Sequence, residues 1–459
     1  MFLNKDTATE HLNRSAIEDE YGVVKTYFDL EELSRTYAKI IPERSVILIL
    51  GDYHIDTVSF YYCMLNNRVV PILLDKSTEE EFIMRILELY EPQFVWGKTE
   101  VISKLAIAQE IVLTCGDYVC VKLDYQLYAI DRELALLLTT SGSTGSPKMV
   151  RLSYENIRYT SQALIDAVDL KEDDKAITVT PLYHAYGLVI LHTHWLRGAS
   201  ILVTDRGLFD TEFWKAFRNH NVTNLSGVPF VFDMLKQIGF LKQKYPDFRF
   251  MTQAGGKLSE ENQKLFSKAL HEMGQRLYIF LGLTEATGVV TLLPDNMSEE
   301  KIGSIGIPVP GTNCMINSEG ELIIYGPGVT LGYAQQKEDL NLKDSHQGKF
   351  ETGDIAVLDE DGCVFLKGRK KRFIKILGHR ISLDEVESLL VDQYEDVEIA
   401  CQGEDNHLTI YTTGELDEEK IKDYCVKVIK VPKNLIHVIK IERIPRTPAG
   451  KIMYQELKV

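Results

Sequence analysis

The chain has 459 residues, of which 45% are hydrophobic and 26% charged. This balance is typical of a globular protein and excludes a disordered or collagen-like chain, and the length predicts about two to four domains. Lys and Arg number 51 against 67 Asp and Glu, a formal net charge of −16. That excess of acid argues against nucleic acid or an anionic membrane surface as a partner.

The seven cysteines are scattered, and no two of them form a C-x-x-C pair. This pattern predicts reduced core thiols in a cytosolic protein, not a disulfide framework or a zinc site. The N-terminal region carries Glu10, Glu18, Asp19 and Glu20 where a signal peptide needs a basic end and an apolar run. No apolar run approaches the ~18 residues of a membrane span. We therefore expect a cytoplasmic protein without an integral membrane segment.

The first third of the chain alternates strand and helix patterns. Short apolar runs at 46–50, 69–74 and 94–96 predict buried strands. Ser77 and Glu80 have the spacing of a capping box, and the helix predicted after them should stop at Pro92. This rhythm indicates an α/β fold with parallel-type sheets covered by helices.

The rhythm changes after about residue 300, where glycine and proline become frequent and a hairpin with a turn at Glu319-Gly320 indicates a β-rich subdomain. The basic run 369–372 predicts a linker. Beyond it, a helix capped by Ser382 and further strands and helices form a small α+β unit. We expect a large N-terminal domain, 1–368, and a small C-terminal domain, 373–459.

A loop rich in glycine and hydroxyl groups separates the apolar runs 134–138 and 149–152. Its glycines let the backbone turn tightly and present N–H groups, and its hydroxyls and one lysine suit phosphate oxygens. A Walker P-loop has a different spacing and leads into a helix, so the sequence predicts a strand–loop–strand phosphate site. The candidate residues are Thr140, Ser141, Gly142, Ser143, Thr144, Gly145 and Lys148.

Further motifs follow this loop in a fixed order. They are Pro181-Leu182-Tyr183-His184, Gly255-Gly256-Lys257, Gly282-Leu283-Thr284-Glu285, Gly332-Tyr333, Thr352-Gly353-Asp354, Gly368-Arg369, Lys375-x-x-Gly378-x-Arg380 and Pro445-x-x-x-x-Gly450-Lys451. Together they resemble the adenylate-forming superfamily of acyl-CoA synthetases, nonribosomal peptide adenylation domains and luciferases, and are most like the acyl- and aryl-CoA synthetases. The resemblance implies that ATP activates a carboxylic acid to an acyl-adenylate, which a thiol then attacks.

The resemblance also implies a role for each matched residue. Lys451 bridges the α-phosphate and the substrate carboxylate, Thr284 contacts the α-phosphate and Glu285 holds Mg²⁺. Asp354 and Arg369 reach the ribose. The remaining residues expected to bind ATP are Gly255, Gly256, Lys257 and Gly282.

Other assignments concern the acid, the thiol and the hinge. His184 falls beside the carboxylate and the thiol tunnel, Gly378 lines that tunnel, and Lys371 is the hinge about which the C-terminal unit pivots between half-reactions. For Lys370 and Arg372 we expect only a solvated basic run.

Three further positions remain, two with a plain structural interpretation and one with none. His192 and His194 are two residues apart on a predicted helix, and we expect structural roles. Three residues after Lys451 the family often has arginine, whereas this chain has Tyr454.

Amino-acid-activating domains of the family usually carry an aspartate that binds the α-amine of the substrate. This chain has His184-Ala185-Tyr186-Gly187 in that region instead. This predicts an acid without an α-ammonium group. The thiol is either CoA or the phosphopantetheine of an acyl carrier protein. Lysines 420, 422, 427 and 430 could dock an acidic carrier. An alternative from another class is a catalytically silent nucleotide-binding regulatory module.

Overall fold

A computed structural model describes residues 11–105, 107, 110–139, 148–377, 379–394, 397–414, 416–447 and 452–457, with only the backbone at 371, 379 and 380. The chain forms two compact units. The first comprises residues 1–313 and 324–350, and the second comprises residues 314–323 and 351–459.

Strands alternate with helices through the first 310 residues. The strands are β1 (Ser15–Asp19), β2 (Val24–Thr26), β3 (Val46–Gly51), β4 (Val70–Asp75), β5 (Phe94–Lys98), β6 (Glu110–Cys115), β7 (Tyr118–Lys122), β8 (Leu134–Thr139), β9 (Met149–Ser153), β10 (Lys175–Ile177), β11 (Ser200–Val203), β12 (Asn224–Gly227), β13 (Phe250–Gln253), β14 (Arg276–Leu281), β15 (Thr291–Leu293) and β16 (Ile307–Pro308). The later strands are β17 (Asn313–Ile316), β18 (Glu321–Tyr325), β19 (Tyr333–Ala334), β20 (Lys349–Leu358), β21 (Val364–Arg369), β22 (Phe373–Ile376), β23 (His379–Ser382), β24 (Ile399–Glu404), β25 (His407–Thr412) and β26 (Ile436–Lys440).

The α-helices of the described residues are α1 (Tyr27–Tyr37), α2 (Ile55–Asn66), α3 (Glu80–Tyr90), α4 (Thr99–Ile102), α5 (Tyr154–Val168), α6 (Ala185–Arg197), α7 (Thr211–Asn219), α8 (Pro229–Gln237), α9 (Glu260–Glu272), α10 (Leu383–Gln393) and α11 (Glu418–Val428). No helix in this described part of the chain combines the length and the apolar character needed to cross a bilayer.

Two large mixed sheets form the first unit. One has the strand order β16-β15-β14-β13-β12-β10-β11-β1-β2, and the other has the order β19-β9-β8-β4-β3-β5-β7-β6. Their central strands pair in parallel, as in β3 with β4 and β12 with β13. Every residue of β3 is buried, because helices cover both faces of the sheet. The sequence-based prediction of an α/β fold with covered, parallel-type sheets is confirmed.

Local chemistry sets most helix ends as expected, with one correction. Helix α3 ends before Pro92 at Glu91, which adopts a left-handed conformation. Its predicted capping box is wrong, because Glu79 occupies the N-cap position without a side-chain hydrogen bond. Ser77 instead turns back to Asp75, whose Oδ1 accepts both the Ser77 amide, at 2.7 Å, and its hydroxyl. Asp75 thus takes the Ser77 amide, which is the donor that Glu80 would accept from in a capping box.

The second unit contains the β-rich segment and an α+β region. The four-stranded sheet has the order β17-β18-β20-β21, and the predicted turn at Gly320 has φ +82°. Strands β24, β25 and β26 form a separate three-stranded sheet. Helices α10 and α11 supply apolar residues to the core beside it, including Val386 and Ile421. Ser382 caps α10 as predicted, accepting the Glu385 amide at 3.2 Å.

Candidate functional site

The strands that flank the glycine-rich loop have the predicted arrangement. Strands β8 and β9 are antiparallel, with Thr139 opposite Met149, so the element that follows Lys148 is a strand and not a helix. Thr140, Ser141, Gly142, Ser143, Thr144 and Gly145 lie outside the described residues. Lys148 is described, half-buried, immediately before β9.

One tyrosine connects Lys148 with the candidate metal ligand. The Lys148 ammonium lies 3.4 Å from the centroid of the Tyr333 ring, which is a cation–π contact. The Tyr333 hydroxyl donates to Glu285 Oε1 at 3.0 Å. Burial and the Glu285 carboxylate both raise the pKa of Tyr333, so the hydroxyl remains a donor. Lys148 and Glu285 were predicted separately, and Tyr333 brings them together.

The backbone around Tyr333 is fixed by close packing. Tyr333 pairs with Val150 of β9. The preceding residue, Gly332, has φ +108°, and a Cβ there would lie 2.0 Å from Ser345 Oγ, so only glycine fits. Arg151 on β9 is fully buried and donates to the carbonyl of Leu331 at 2.6 Å. These contacts hold the Tyr333 backbone against the strand that begins after Lys148.

The other candidate ATP ligands of the first unit lie where parallel strands end. Gly255, Gly256 and Lys257 follow β13, and Gly282 follows its parallel neighbour β14. Ligand sites of open α/β sheets lie outside the carboxyl ends of such strands. Thr284 begins a short 3₁₀ turn, Thr284–Ala286, which carries Glu285. The Glu285 carbonyl accepts the Thr330 amide at 3.0 Å, which ties this turn to the segment leading to Tyr333.

His184 lies beside this turn. It is the N-cap residue of α6, and its ring centroid lies 4.7 Å from that of Tyr183. The start of α6 packs closely against the chain after Glu285, because a Cβ on Gly288 would lie 3.1 Å from the Ala185 carbonyl oxygen. The first unit therefore brings His184, Thr284, Glu285 and Lys148 into one region.

The predicted ribose ligands form a pair in the second unit. Asp354 on β20 lies opposite Arg369 on β21. Arg369 Nε is 2.7 Å from Asp354 Oδ1, and the Asp354 side chain is 6% exposed. The Asp354 amide donates to Thr352 Oγ1 at 3.0 Å. A buried carboxylate that is paired with an arginine and carried on a fixed backbone is well oriented to accept hydrogen bonds from hydroxyl groups.

The expectation of a solvated basic run is wrong for Arg372, whereas Lys370 is exposed, as expected. The Arg372 side chain is only 17% exposed and pairs with Asp384 and with Glu387, the latter at 2.7 Å. Lys370 pairs with Glu319 at 2.5 Å and Glu321 at 3.0 Å. The acidic partners lie in other segments of the chain, so the sequence of the basic run does not by itself show these ion pairs.

Three further predicted residues cannot be placed in full. Lys451 and Gly378 lie outside the described residues, and the side chain of Lys371 does as well. The backbone of Lys371 lies in the 3₁₀ turn Lys370–Arg372.

The two histidines of α6 have structural partners, as predicted. His192 Nε2 lies 2.7 Å from the Tyr61 hydroxyl, and burial lowers the pKa of His192 to about 3. His194 Nδ1 lies 2.8 Å from the Ile190 carbonyl, and its Nε2 lies 3.1 Å from Asn224 Nδ2. All seven cysteines are free thiols.

The donor set fits magnesium bound together with a nucleotide. Within the described ranges, no group of three or more His, Cys, Asp or Glu side chains could hold a metal ion by itself. Mg²⁺ usually takes one or two carboxylates and completes its shell with water and substrate phosphates. Glu285, half-buried at the carboxyl end of β14, is a suitable carboxylate, and the Tyr333 hydroxyl orients it.

Comparisons with known proteins identify the family of this chain. Residues 4–334 match the family described as "AMP-binding enzyme". The chain belongs to this AMP-binding enzyme family. Oxalate–CoA ligase of Arabidopsis thaliana is 30% identical over 351 residues, which cover 69% of this chain and 66% of that protein. 2-Succinylbenzoate–CoA ligase of Bacillus anthracis is 28% identical over 349 residues, 71% of this chain and 70% of that protein.

Solved structures show the same fold over nearly the whole chain. The o-succinylbenzoate CoA synthetase of Bacillus subtilis, in complex with its acyl-adenylate intermediate, superimposes with a TM-score of 0.79 at 20% identity, covering 98% of this chain and 97% of that one. Another structure of that enzyme contains ATP and a magnesium ion. The family match and the CoA ligases among its relatives identify this AMP-binding enzyme as an acid–thiol ligase.

Sequence reasoning missed the residues that hold the site together. Gly332-Tyr333 was only a matching motif, and no local pattern linked Tyr333 to Glu285, 48 positions away. Arg151 looked like one polar residue of a strand. A charged residue at a fully buried strand position was the one available signal, and it indicates a structural ion or hydrogen-bond site.

Proposed function

We propose that this AMP-binding enzyme uses ATP to convert a carboxylic acid into an acyl-adenylate, releasing pyrophosphate, and then transfers the acyl group to the thiol of CoA. The observation that carries the proposal is the Glu285–Tyr333–Lys148 array, which puts a carboxylate and an ammonium group at the carboxyl end of β14 and the start of β9. This is the charge pattern that a metal–triphosphate complex requires.

Each residue of the proposed site has a role that suits its chemistry. Lys148 and the hydroxyl-rich loop hold phosphate oxygens, Glu285 provides the carboxylate for Mg²⁺, and Mg²⁺ when bound neutralises phosphate charge. Asp354 and Arg369 orient the ribose. The attack of a carboxylate on phosphorus builds charge on the α-phosphate oxygens, and Thr284 and Lys451 would stabilise that charge as fixed donors.

The acid that we propose has no α-ammonium group. Near the start of α6, Tyr186 is buried and neutral, its hydroxyl lies 2.9 Å from the Thr252 carbonyl, and its ring packs edge-on against Phe280 at 5.2 Å. These residues offer an ammonium group no carboxylate. The ligases for oxalate and 2-succinylbenzoate, two acids without an amine, are consistent with this proposal.

CoA is favoured over a carrier protein by the charges of α11. An acidic carrier needs a basic face. Lys422, however, pairs with Glu418 at 2.7 Å, and Lys433, just beyond the helix, pairs with Glu419 and Asp423 at 2.7 Å each. The surface therefore has mixed charge, which an acidic carrier would not favour.

Free thiols throughout the chain support a reducing, cytoplasmic location.

The decisive experiment is acid-dependent exchange between ATP and labelled pyrophosphate, screened over dicarboxylic, aryl, medium-chain and long-chain acids. We expect exchange with at least one amine-free acid and thioester formation when CoA is added. Thioester on a phosphopantetheinylated carrier but not on CoA would select the carrier alternative. ATP binding with no exchange for any acid would indicate the catalytically silent regulatory module.

A further inference from the structure

The contacts of Tyr333 separate two groups that would otherwise attract each other. Lys148 and Glu285 carry opposite charges, and Tyr333 contacts both of them. The Tyr333 ring lies against the ammonium, 3.4 Å from its nitrogen, and the Tyr333 hydroxyl engages one carboxylate oxygen at 3.0 Å. A direct Lys148–Glu285 pair would remove both charges from the phosphates and the metal that they are proposed to bind.

The ring itself is held in place by its surroundings. His346 packs edge-on against it, with centroids 5.5 Å apart at 89°. The Tyr333 backbone is paired to Val150 of β9. The Tyr333 side chain is therefore held in one position, and its contacts set the positions of the Lys148 and Glu285 side chains.

We propose that Tyr333 is a positioning residue for adenylation, which keeps the Glu285 carboxylate and the Lys148 ammonium apart and oriented toward one nucleotide. This inference rests on the proposed function, because it assigns those two groups to metal and phosphate. The hydroxyl serves the metal side through Glu285, and the ring serves the phosphate side through Lys148. The two effects can be separated by substitution.

Tyr333→Phe removes the hydroxyl and keeps the ring. Losing a hydrogen bond to a charged group frees the carboxylate to rotate, and we expect the Mg²⁺ concentration for half-maximal ATP binding to rise roughly tenfold. Affinity for ATP in EDTA should be unchanged. Tyr333→Leu removes the ring as well, and affinity for ATP in EDTA should fall about threefold because Lys148 loses its cation–π contact.

Isothermal titration calorimetry of ATP with the full chain, at a series of Mg²⁺ concentrations and in EDTA, measures both effects. The Mg²⁺ dependence of pyrophosphate exchange gives a second readout. Tyr90→Phe is the matched control, because it removes a hydrogen bond to the same strand without touching Glu285. It should lower the melting temperature and leave the Mg²⁺ dependence as in the wild type.

The inference is overturned if Tyr333→Phe binds MgATP with wild-type Mg²⁺ dependence, or if Tyr90→Phe shifts that dependence equally. Tyr333→Phe is a conservative change, so the test does not depend on whether Tyr333→Leu folds. The two proposals can fail separately. If the variants differ from the wild type in calorimetry as expected, but the wild type shows no exchange with any acid, the role of Tyr333 is supported and the proposed function is contradicted.

Discussion

The guanidinium carbon of Arg372 lies 3.7 Å from the centroid of the Tyr454 ring. Both side chains also reach Glu387, whose Oε1 accepts from Arg372 Nη2 at 2.7 Å and whose Oε2 accepts from the Tyr454 hydroxyl at 2.8 Å. Tyr454 stands three residues after the proposed catalytic Lys451, where related enzymes often have arginine. In this chain the position serves a buried charged network within the second unit.

Removing the carboxylate at the centre of this network should destabilise the second unit. Glu387 is 13% exposed, and burial, which outweighs the attraction of Arg372, raises the pKa of Glu387. Glu387→Ala deprives a buried arginine of one of its two carboxylates, and breaking such a pair costs about 3 kcal/mol.

Hydrogen exchange of peptides from β24 and β25 measures this loss locally, since the Cys401 amide also donates to Glu387. Glu360→Ala is the control, because Glu360 is exposed and such a change costs less than about 0.5 kcal/mol. Equal protection in the two variants would show that the network contributes nothing to stability.

Local sequence patterns were sufficient for most of the fold. The apolar run predicted at 46–50 is β3, and the run at 134–138 is β8, because strands buried on both faces need apolar residues at every position. The prediction at Ser77 failed for a local reason as well. Asp75, two residues earlier, offers a closer acceptor than the helix start does.

For the candidate site, the sequence predicted residues that belong to motifs but not the contacts that support them. Asp354 and Arg369 were predicted from motifs, and the strand register places them opposite each other. The supporting contacts join residues far apart in the chain, such as Tyr333 with Glu285 and Arg372 with Glu387. No local pattern encodes these distances, because they arise only when separate elements pack together.

Asp354→Asn should weaken recognition of the ribose. The asparagine keeps the shape but loses the charge that strengthens hydrogen bonds to hydroxyls, so we expect KM for ATP to rise roughly tenfold. The wild type should bind 2′-deoxy-ATP more weakly than ATP, and the variant should discriminate much less between these two nucleotides. Asp361 is exposed in the turn before β21, and Asp361→Asn should leave KM for ATP and the discrimination against 2′-deoxy-ATP as in the wild type. Undiminished discrimination by Asp354→Asn would place the ribose elsewhere.

Lys451→Ala should separate the two half-reactions. The proposed contact with the α-phosphate acts only in adenylation, and losing one preorganised donor costs about 2.7–4 kcal/mol, or roughly 10²–10³ in rate. Pyrophosphate exchange should fall by that factor, while CoA thioester formation from pre-made acyl-adenylate largely survives. Lys420→Ala, an exposed lysine of α11, is the control and should retain both activities. Equal loss of both steps in Lys451→Ala would contradict a pivot of the C-terminal unit between them.

The buried His192 should make the first unit sensitive to mild acid. Its pKa is about 3 in the folded protein because burial disfavours the charged ring, against about 6.5 when unfolded. The unfolded state therefore binds an extra proton below about pH 6.5, and stability falls as the pH decreases. Between pH 7 and pH 5 this one group should cost about 2 kcal/mol.

His192→Gln removes the titrating ring while keeping a polar partner for the Tyr61 hydroxyl. The drop in unfolding free energy between pH 7 and pH 5 should be smaller in this variant by about 2 kcal/mol. Denaturant titrations followed by tryptophan fluorescence report the first unit, because Trp96, Trp195 and Trp214 all belong to it. His271→Gln, at an exposed position of α9, should keep the wild-type dependence. If His192→Gln kept it too, the buried ring would have to be protonated as readily in the folded chain as in the unfolded one.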